Sequence, residues 1–176
     1  MGHRDRPERP PGRETRPAYS RKRRTWYGHG QLARTELDET GRFIHDTLRL
    51  SADVFLGSLP VLLFVMLAGG LDVYGPRTAL LAAILALTLA GTAVRGGWIP
   101  PLATSTLGWV ALTPSLVALR VVYYNFTLGV AAYGGVAVAT AVETPPVSLA
   151  VAVLVGVVAA LSFPRVAETT ARTLDR

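Results

Sequence analysis

The order of apolar and polar positions divides the chain into zones of different character. Residues 54–71 and 78–94 contain no charged residue, and each approaches the ~17 to 25 residues that cross the hydrocarbon core of a bilayer. Residues 121–142 and 147–163 are equally free of charge. The members of each pair are separated by turn formers: "DVYGPR" with Asp72, Gly75, Pro76 and Arg77 in the first, "ETPP" with Glu143, Pro145 and Pro146 in the second. The pattern predicts an all-α, polytopic transmembrane helix bundle over residues 54–163, with spans at 54–71, 78–94, 121–142 and 147–163, followed by a short polar tail at 164–176.

Ahead of the first run the periodicity changes. At ~100° per residue, Leu32, Leu37, Phe43, Ile44, Leu48, Leu50, Val54 and Phe55 fall within an arc of ~160°. Arg34, Asp38, Glu39, Arg42, His45, Asp46, Arg49 and Asp53 fall opposite. Residues 31–53 therefore read as an amphipathic helix, and its junction with a span places Leu37, Phe43, Ile44, Leu48 and Phe55 in the membrane interface. Its anions (Glu36, Asp38, Glu39, Asp46, Asp53) outnumber its cations (Arg34, Arg42, Arg49). That is unlike a basic lipid-binding helix, and it makes a partner helix the alternative occupant of the apolar face.

The segment 96–119 is uncharged and long enough to cross, with Trp98 near one end and Tyr123 and Tyr124 just beyond the other. Pro100, Pro101, Thr104, Ser105, Thr106, Thr113, Pro114 and Ser115 interrupt it, however, and a fifth span here would force residues 120–125, which lack glycine and proline, to form a turn. Arginine and lysine near span ends set orientation. With four spans, Arg95, Arg120, Arg165, Arg172 and Arg176 share the side of the N-terminus and only Arg77 lies opposite; with five, Arg77, Arg120, Arg165, Arg172 and Arg176 all lie opposite. The charge distribution thus selects four spans, an N-terminus in the cytoplasm, and a re-entrant or interfacial 96–119, with five spans as the alternative.

Residues 1–24 carry nine cations and three anions, and 9 − 3 = +6 equals the net charge of the whole chain. The basic character belongs to an arm. Residues 1–30 are rich in charge and proline with almost nothing apolar to bury, so they are expected to be disordered. The stretch "RKRRTWYGHG" (21–30) puts Arg21, Lys22, Arg23, Arg24, Trp26 and Tyr27 together as a contact for anionic surfaces. Lipid headgroups come first, and nucleic acid or an acidic protein is the alternative.

Candidate chemistry is sparse. Cysteine is absent, and His3, His29 and His45 lack metal-ligand spacing. No serine of the apolar zone has a histidine partner there, so no catalytic, cofactor or metal residues are assigned and an enzyme is not expected. Asp53, Asp72, Arg120 and Glu143 map to span ends and are expected to snorkel to the interface. Asn125 with Tyr123, Tyr124, Thr127 and Tyr133 is expected to bond between helices, with a small-molecule site as the alternative. Small residues at four-residue spacing (Ala131, Gly135, Ala139; Ala152, Gly156, Ala160) mark helix-packing faces, within the chain or in a homo-oligomer. The composite is an integral membrane protein acting as a structural or accessory component. A small-solute channel or transporter subunit, or a viral envelope protein whose arm grips nucleic acid, are the alternatives.

Overall fold

A computed structural model describes residues 39–68, 70, 72–104 and 114–174. Every regular element within them is helical: α1 (Glu39–Gly57), α2 (Leu59–Ala68), α3 (Pro76–Gly96), α4 (Pro114–Gly129), a π-helical turn (Val130–Gly134), α5 (Gly135–Ala141) and α6 (Val147–Leu174). Pro76–Gly96, Pro114–Ala141 and Val147–Thr170 are each long and apolar enough to cross a membrane, and Phe43–Gly57 with Leu59–Ala68 qualifies only as a pair bent by 68°.

The limits of α3 follow from its terminal residues. Gly75 is extended and Pro76, whose fixed φ suits a helix and whose missing N–H would be an orphan donor there anyway, opens the first turn. Gly97 closes the helix at φ 83°, a left-handed conformation that needs no Cβ, and its N–H returns to the Val94 carbonyl. The chain then folds back, with Trp98 against Phe43 at 5.5 Å between ring centroids.

The bend between α1 and α2 has an equally local cause. Pro60 has no N–H to give, and the helix breaks at Ser58. Asn125 of α4 repairs the break. Its Oδ1 accepts from the Val61 N–H at 2.7 Å and its Nδ2 donates to the Gly57 carbonyl at 2.8 Å. Those are the two groups that an unbroken helix would have bonded to each other, so one carboxamide is spliced into a single turn of backbone.

Pairings along the elements fix their directions. Asp46 faces Arg95, Leu50 reaches Gly91, and Arg77 donates to the Met66 carbonyl, so α1 and α2 run antiparallel to α3. Asp53 faces Arg120, Asn125 bridges Gly57 and Val61, and Phe64 faces Tyr133, so α4 and α5 run parallel to α1 and α2. Ser148 of α6 donates to the Tyr74 carbonyl, and Gly156 lies against Ala83, which aligns α6 with α3. The starts of α1 and α4 and the ends of α3 and α6 therefore share one end of the bundle. Residues 97–104 stay at that end: Leu102 N–H bonds the Leu161 carbonyl at 2.9 Å and Thr104 Oγ1 bonds Glu168 Oε2 at 2.7 Å.

The α3–α6 interface is the most extensive, and small side chains make it close. A Cβ on Gly156 would sit 2.6 Å from the Ala83 carbonyl oxygen, and at the neighbouring α5–α6 contact one on Gly135 would sit 2.8 Å from that of Ser148. Backbone approach of this kind supplies dispersion contact where no water is left to drive association. Large apolar side chains point outward instead, among them Leu56, Leu63, Phe64, Leu67, Leu85, Val122, Phe126 and Leu154.

The splice predicts an asymmetry between two polar residues of α4. Asn125→Leu, which strands a backbone donor and a backbone acceptor, should lower the unfolding free energy by about 2–4 kcal/mol. Thr127→Val, which removes bonds only to carbonyls of its own helix, should cost less than about 1 kcal/mol. Thermal unfolding in detergent measures both, and equal shifts would contradict the splice.

Candidate functional site

Asp46, Arg49 and Asp53 recur at helical spacing along α1, and all of them point into the bundle. Asp46 is 4% exposed and takes Arg95 Nε at 3.7 Å, with His45 Nδ1 at 3.8 Å from the same oxygen. Arg95 lies in the last turn of α3, where the helix dipole favours a cation. Asp53 takes Arg120 Nη1 at 3.4 Å on one oxygen and accepts the Tyr124 hydroxyl at 3.2 Å on the other. Tyr124 in turn packs at 5.8 Å from Phe163 of α6.

Between these groups lies a cavity lined by Arg49, Asp53, Arg95, Arg120 and Tyr124 together with apolar atoms of Leu50, Leu87, Ala159, Phe163 and Pro164. Gly91 on its wall lets the Leu50 side chain pack close to α3, since a Cβ there would meet Leu50 at 2.6 Å. Pro164, inside α6, cannot bond the Ala160 carbonyl as a helical residue would. A second opening shares Arg49, Asp53 and Arg120 with it and is lined in addition by Ala52, Leu56, Gly57, Val117 and Val121. Arg49 Nη1 and Arg95 Nη2 are both buried without a hydrogen-bond partner among the described residues.

The outer face of α1 carries the apolar residues of the amphipathic pattern. Ile44 is 53% and Leu48 66% exposed, and Phe43 and Phe55 are exposed as well, while Val54 is fully buried. The helix runs through Asp53 to Gly57 without interruption. Arg120 departs from the expectation of a snorkelling side chain. Its helix already begins at Pro114, which places Arg120 inside it at 4% exposure, and Asp53 receives it there. Asp72 and Glu143 are exposed at the opposite end of the bundle. Residues 120–125 are helical, and residues 105–113 of the interrupted segment lie outside the described residues. So do Arg21, Lys22, Arg23, Arg24, Trp26, Tyr27 and Leu37.

The remaining polar residues of α4 bond between or within helices. The Tyr123 hydroxyl donates to the Ala159 carbonyl at 2.9 Å and lies 2.9 Å from Ser162 Oγ, and Thr127 bonds its own helix. Ala131, Gly135 and Ala139 are buried, as are Ala152, Gly156 and Ala160. Among the described residues no cluster of histidine or carboxylate side chains could hold a metal ion. Arg49 and Arg95 were not singled out by the sequence, although the spacing of Asp46, Arg49 and Asp53 on one face was a usable signal. What periodicity could not show was that this face turns inward.

The ion pair predicts non-additive mutants. Arg120→Met alone should lower stability by about 2–4 kcal/mol, because it leaves Asp53 beside apolar walls without its main counter-charge. Adding Asp53→Leu should recover most of that loss. A double-mutant cycle by chemical unfolding reads the coupling, and simple additivity would contradict the pair.

No curated protein and no solved structure matches the chain. A family profile described as Domain of unknown function (DUF8215) matches residues 37–170. The match takes in α1 through most of α6 and every residue that lines the cavity. With the greater part of its length inside that match, the chain belongs to the family Domain of unknown function (DUF8215).

Proposed function

We propose that the chain is an integral membrane protein that crosses the bilayer four times, with both termini in the cytoplasm, and serves as a structural or accessory component. One observation carries the reading: polarity is distributed inside out. Leu56, Leu63, Phe64, Leu67, Leu85, Val122, Phe126, Leu154 and Val158 face outward around the bundle, while Asp46 and Arg120 are buried. Soluble monomers rarely expose contiguous apolar patches larger than a few hundred Å² (roughly 300–600 Å² at most), and a surface of this kind suits lipid. The bent pair α1–α2 then forms the first crossing, α3 the second, α4 to α5 the third and α6 the fourth. The segment that opens at Gly97 leaves and rejoins the bundle at one end, which favours four crossings over five.

The positive-inside tendency supports the orientation. Arg95, Arg120 and Arg165 lie toward the end shared with the start of α1, whereas Asp72 and Glu143 lie at the other, with Arg77 the cation there. On this reading the arm at residues 21–30 lies in the cytoplasm, and its cations contact anionic headgroups with about 1 kcal/mol per charge near the surface. The α1 face of Phe43, Ile44, Leu48 and Phe55 meets lipid along the length of the crossing. A second reading, a small-solute channel or transporter subunit, draws support from the charged cavity. It needs that cavity to continue past Leu87 and Ala159, and solute efflux from proteoliposomes would favour it.

The cysteine-free sequence permits a direct test. Ser20→Cys and Thr173→Cys should be protected from an impermeant maleimide in intact cells, and Thr144→Cys should be labelled. Labelling of Thr173→Cys from outside would remove the four-crossing arrangement.

A further inference from the structure

We infer that the cavity lined by Arg49 and Arg95, together with the groove between α1 and α4 that shares Arg49, Asp53 and Arg120 with it, is a binding site for one anionic phospholipid, the lipid phosphate being held by Arg49 and Arg95. The inference concerns the folded bundle rather than the arm, and it rests on the membrane reading given above.

Two guanidinium donors in the cavity lining are unmet. Arg49 Nη1 and Arg95 Nη2 are removed from solvent and have no acceptor among the described residues, although a guanidinium is a permanently charged group whose buried N–H bonds are costly to leave unmade. Both arginines line the same cavity. Charge points the same way. Among the described side chains around it, Arg49, Arg95 and Arg120 face Asp46 and Asp53, and 3 − 2 leaves one positive charge in excess. A phosphodiester carries one negative charge and several acceptor oxygens, which is what paired guanidinium groups bind best.

Shape distinguishes a lipid from a free anion. From the Arg49–Arg120 side of the ion pair, an open groove extends between α1 and α4 along Leu56, Val117 and Val121. Leu56 lies about one turn beyond Asp53 toward the bundle centre, Val117 and Val121 flank Arg120 on α4, and all three are exposed. The charged end thus lies nearer the end of the bundle shared by the starts of α1 and α4, and the apolar groove beside it offers a course for an acyl chain. Basic pockets between membrane helices bind lipid headgroups in this manner.

The test uses the full chain purified in a neutral detergent, with phosphatidylglycerol, phosphatidylcholine and inorganic phosphate as probes and native mass spectrometry as the readout. Wild type should retain one phosphatidylglycerol at least about tenfold more tightly than phosphatidylcholine, a difference readily resolved as an equilibrium ratio. Arg49→Gln and Arg95→Gln should each abolish that preference. Replacing Arg21, Lys22, Arg23 and Arg24 with glutamine should leave it intact, which separates this site from contact by the arm. Val121→Trp fills the groove without altering charge, so it should weaken retention even if an arginine variant fails to fold. Equal retention of the two lipids, loss of the preference only in the arm variant, full retention in Val121→Trp, or displacement of the lipid by equimolar inorganic phosphate would each overturn the assignment.

Discussion

A peptide group facing hydrocarbon has no water to bond, so each polar atom of a membrane bundle must find its partner inside the protein. That constraint explains the least regular parts of this structure. Pro60 interrupts the first helical path, and Asn125 supplies both bonds that the break would have orphaned. Arg77 closes the far end of α2 by donating to the Met66 carbonyl. Tyr123 reaches across to the Ala159 carbonyl of α6, and Leu102 donates to the Leu161 carbonyl beside Pro164. The break before Pro60 is met by a side chain from another element, so that kink is also a point where the helices are tied together.

The same constraint governs the charges. Asp53, Arg120 and Tyr124 form a connected set, and Asp46 with Arg95 forms another nearby. Pairing reduces the penalty of removing these groups from water, although a buried pair is weak evidence for net stability. Its more secure consequence is register: α1 can meet α3 and α4 in only one axial position if Asp46 is to face Arg95 while Asp53 faces Arg120. The small residues at Gly91, Gly135 and Gly156 then let the backbones close around that alignment.

Much of the helical organisation was legible in local sequence. The charge-free runs 78–94 and 147–163 each fall within one helix, and the turns at Gly75-Pro76 and at residues 143–146 lie where glycine and proline put them. Other features were not legible, for physical reasons that can be named. A helical period locates two faces of α1 but does not say which faces inward, since water outside and lipid outside reverse the answer. The charge-free run opens after Arg120, whereas α4 already begins at Pro114, and the counter-charge that lets Arg120 sit inside the helix lies 67 positions away in the sequence. Asn125 was visible as a polar residue near a span, yet its role depends on a proline in a different helix. The α1–α2 junction reads as an interfacial helix followed by a span, while the structure makes one continuous helix to Gly57 and bends it after that point.

On the four-crossing reading the bundle turns its charges inward and its apolar faces to lipid, α1 included. Site-directed spin labels in liposomes test it most directly, because oxygen partitions into hydrocarbon and a nickel chelate stays in water. Labels at Leu48, Leu56, Phe126 and Leu154 should relax with oxygen and remain shielded from nickel, with the oxygen effect rising from Leu48 to Leu56 as the label approaches the bilayer centre. Strong nickel accessibility at Leu48 and Leu56 together would contradict the account, since it would place the outer face of α1 in water.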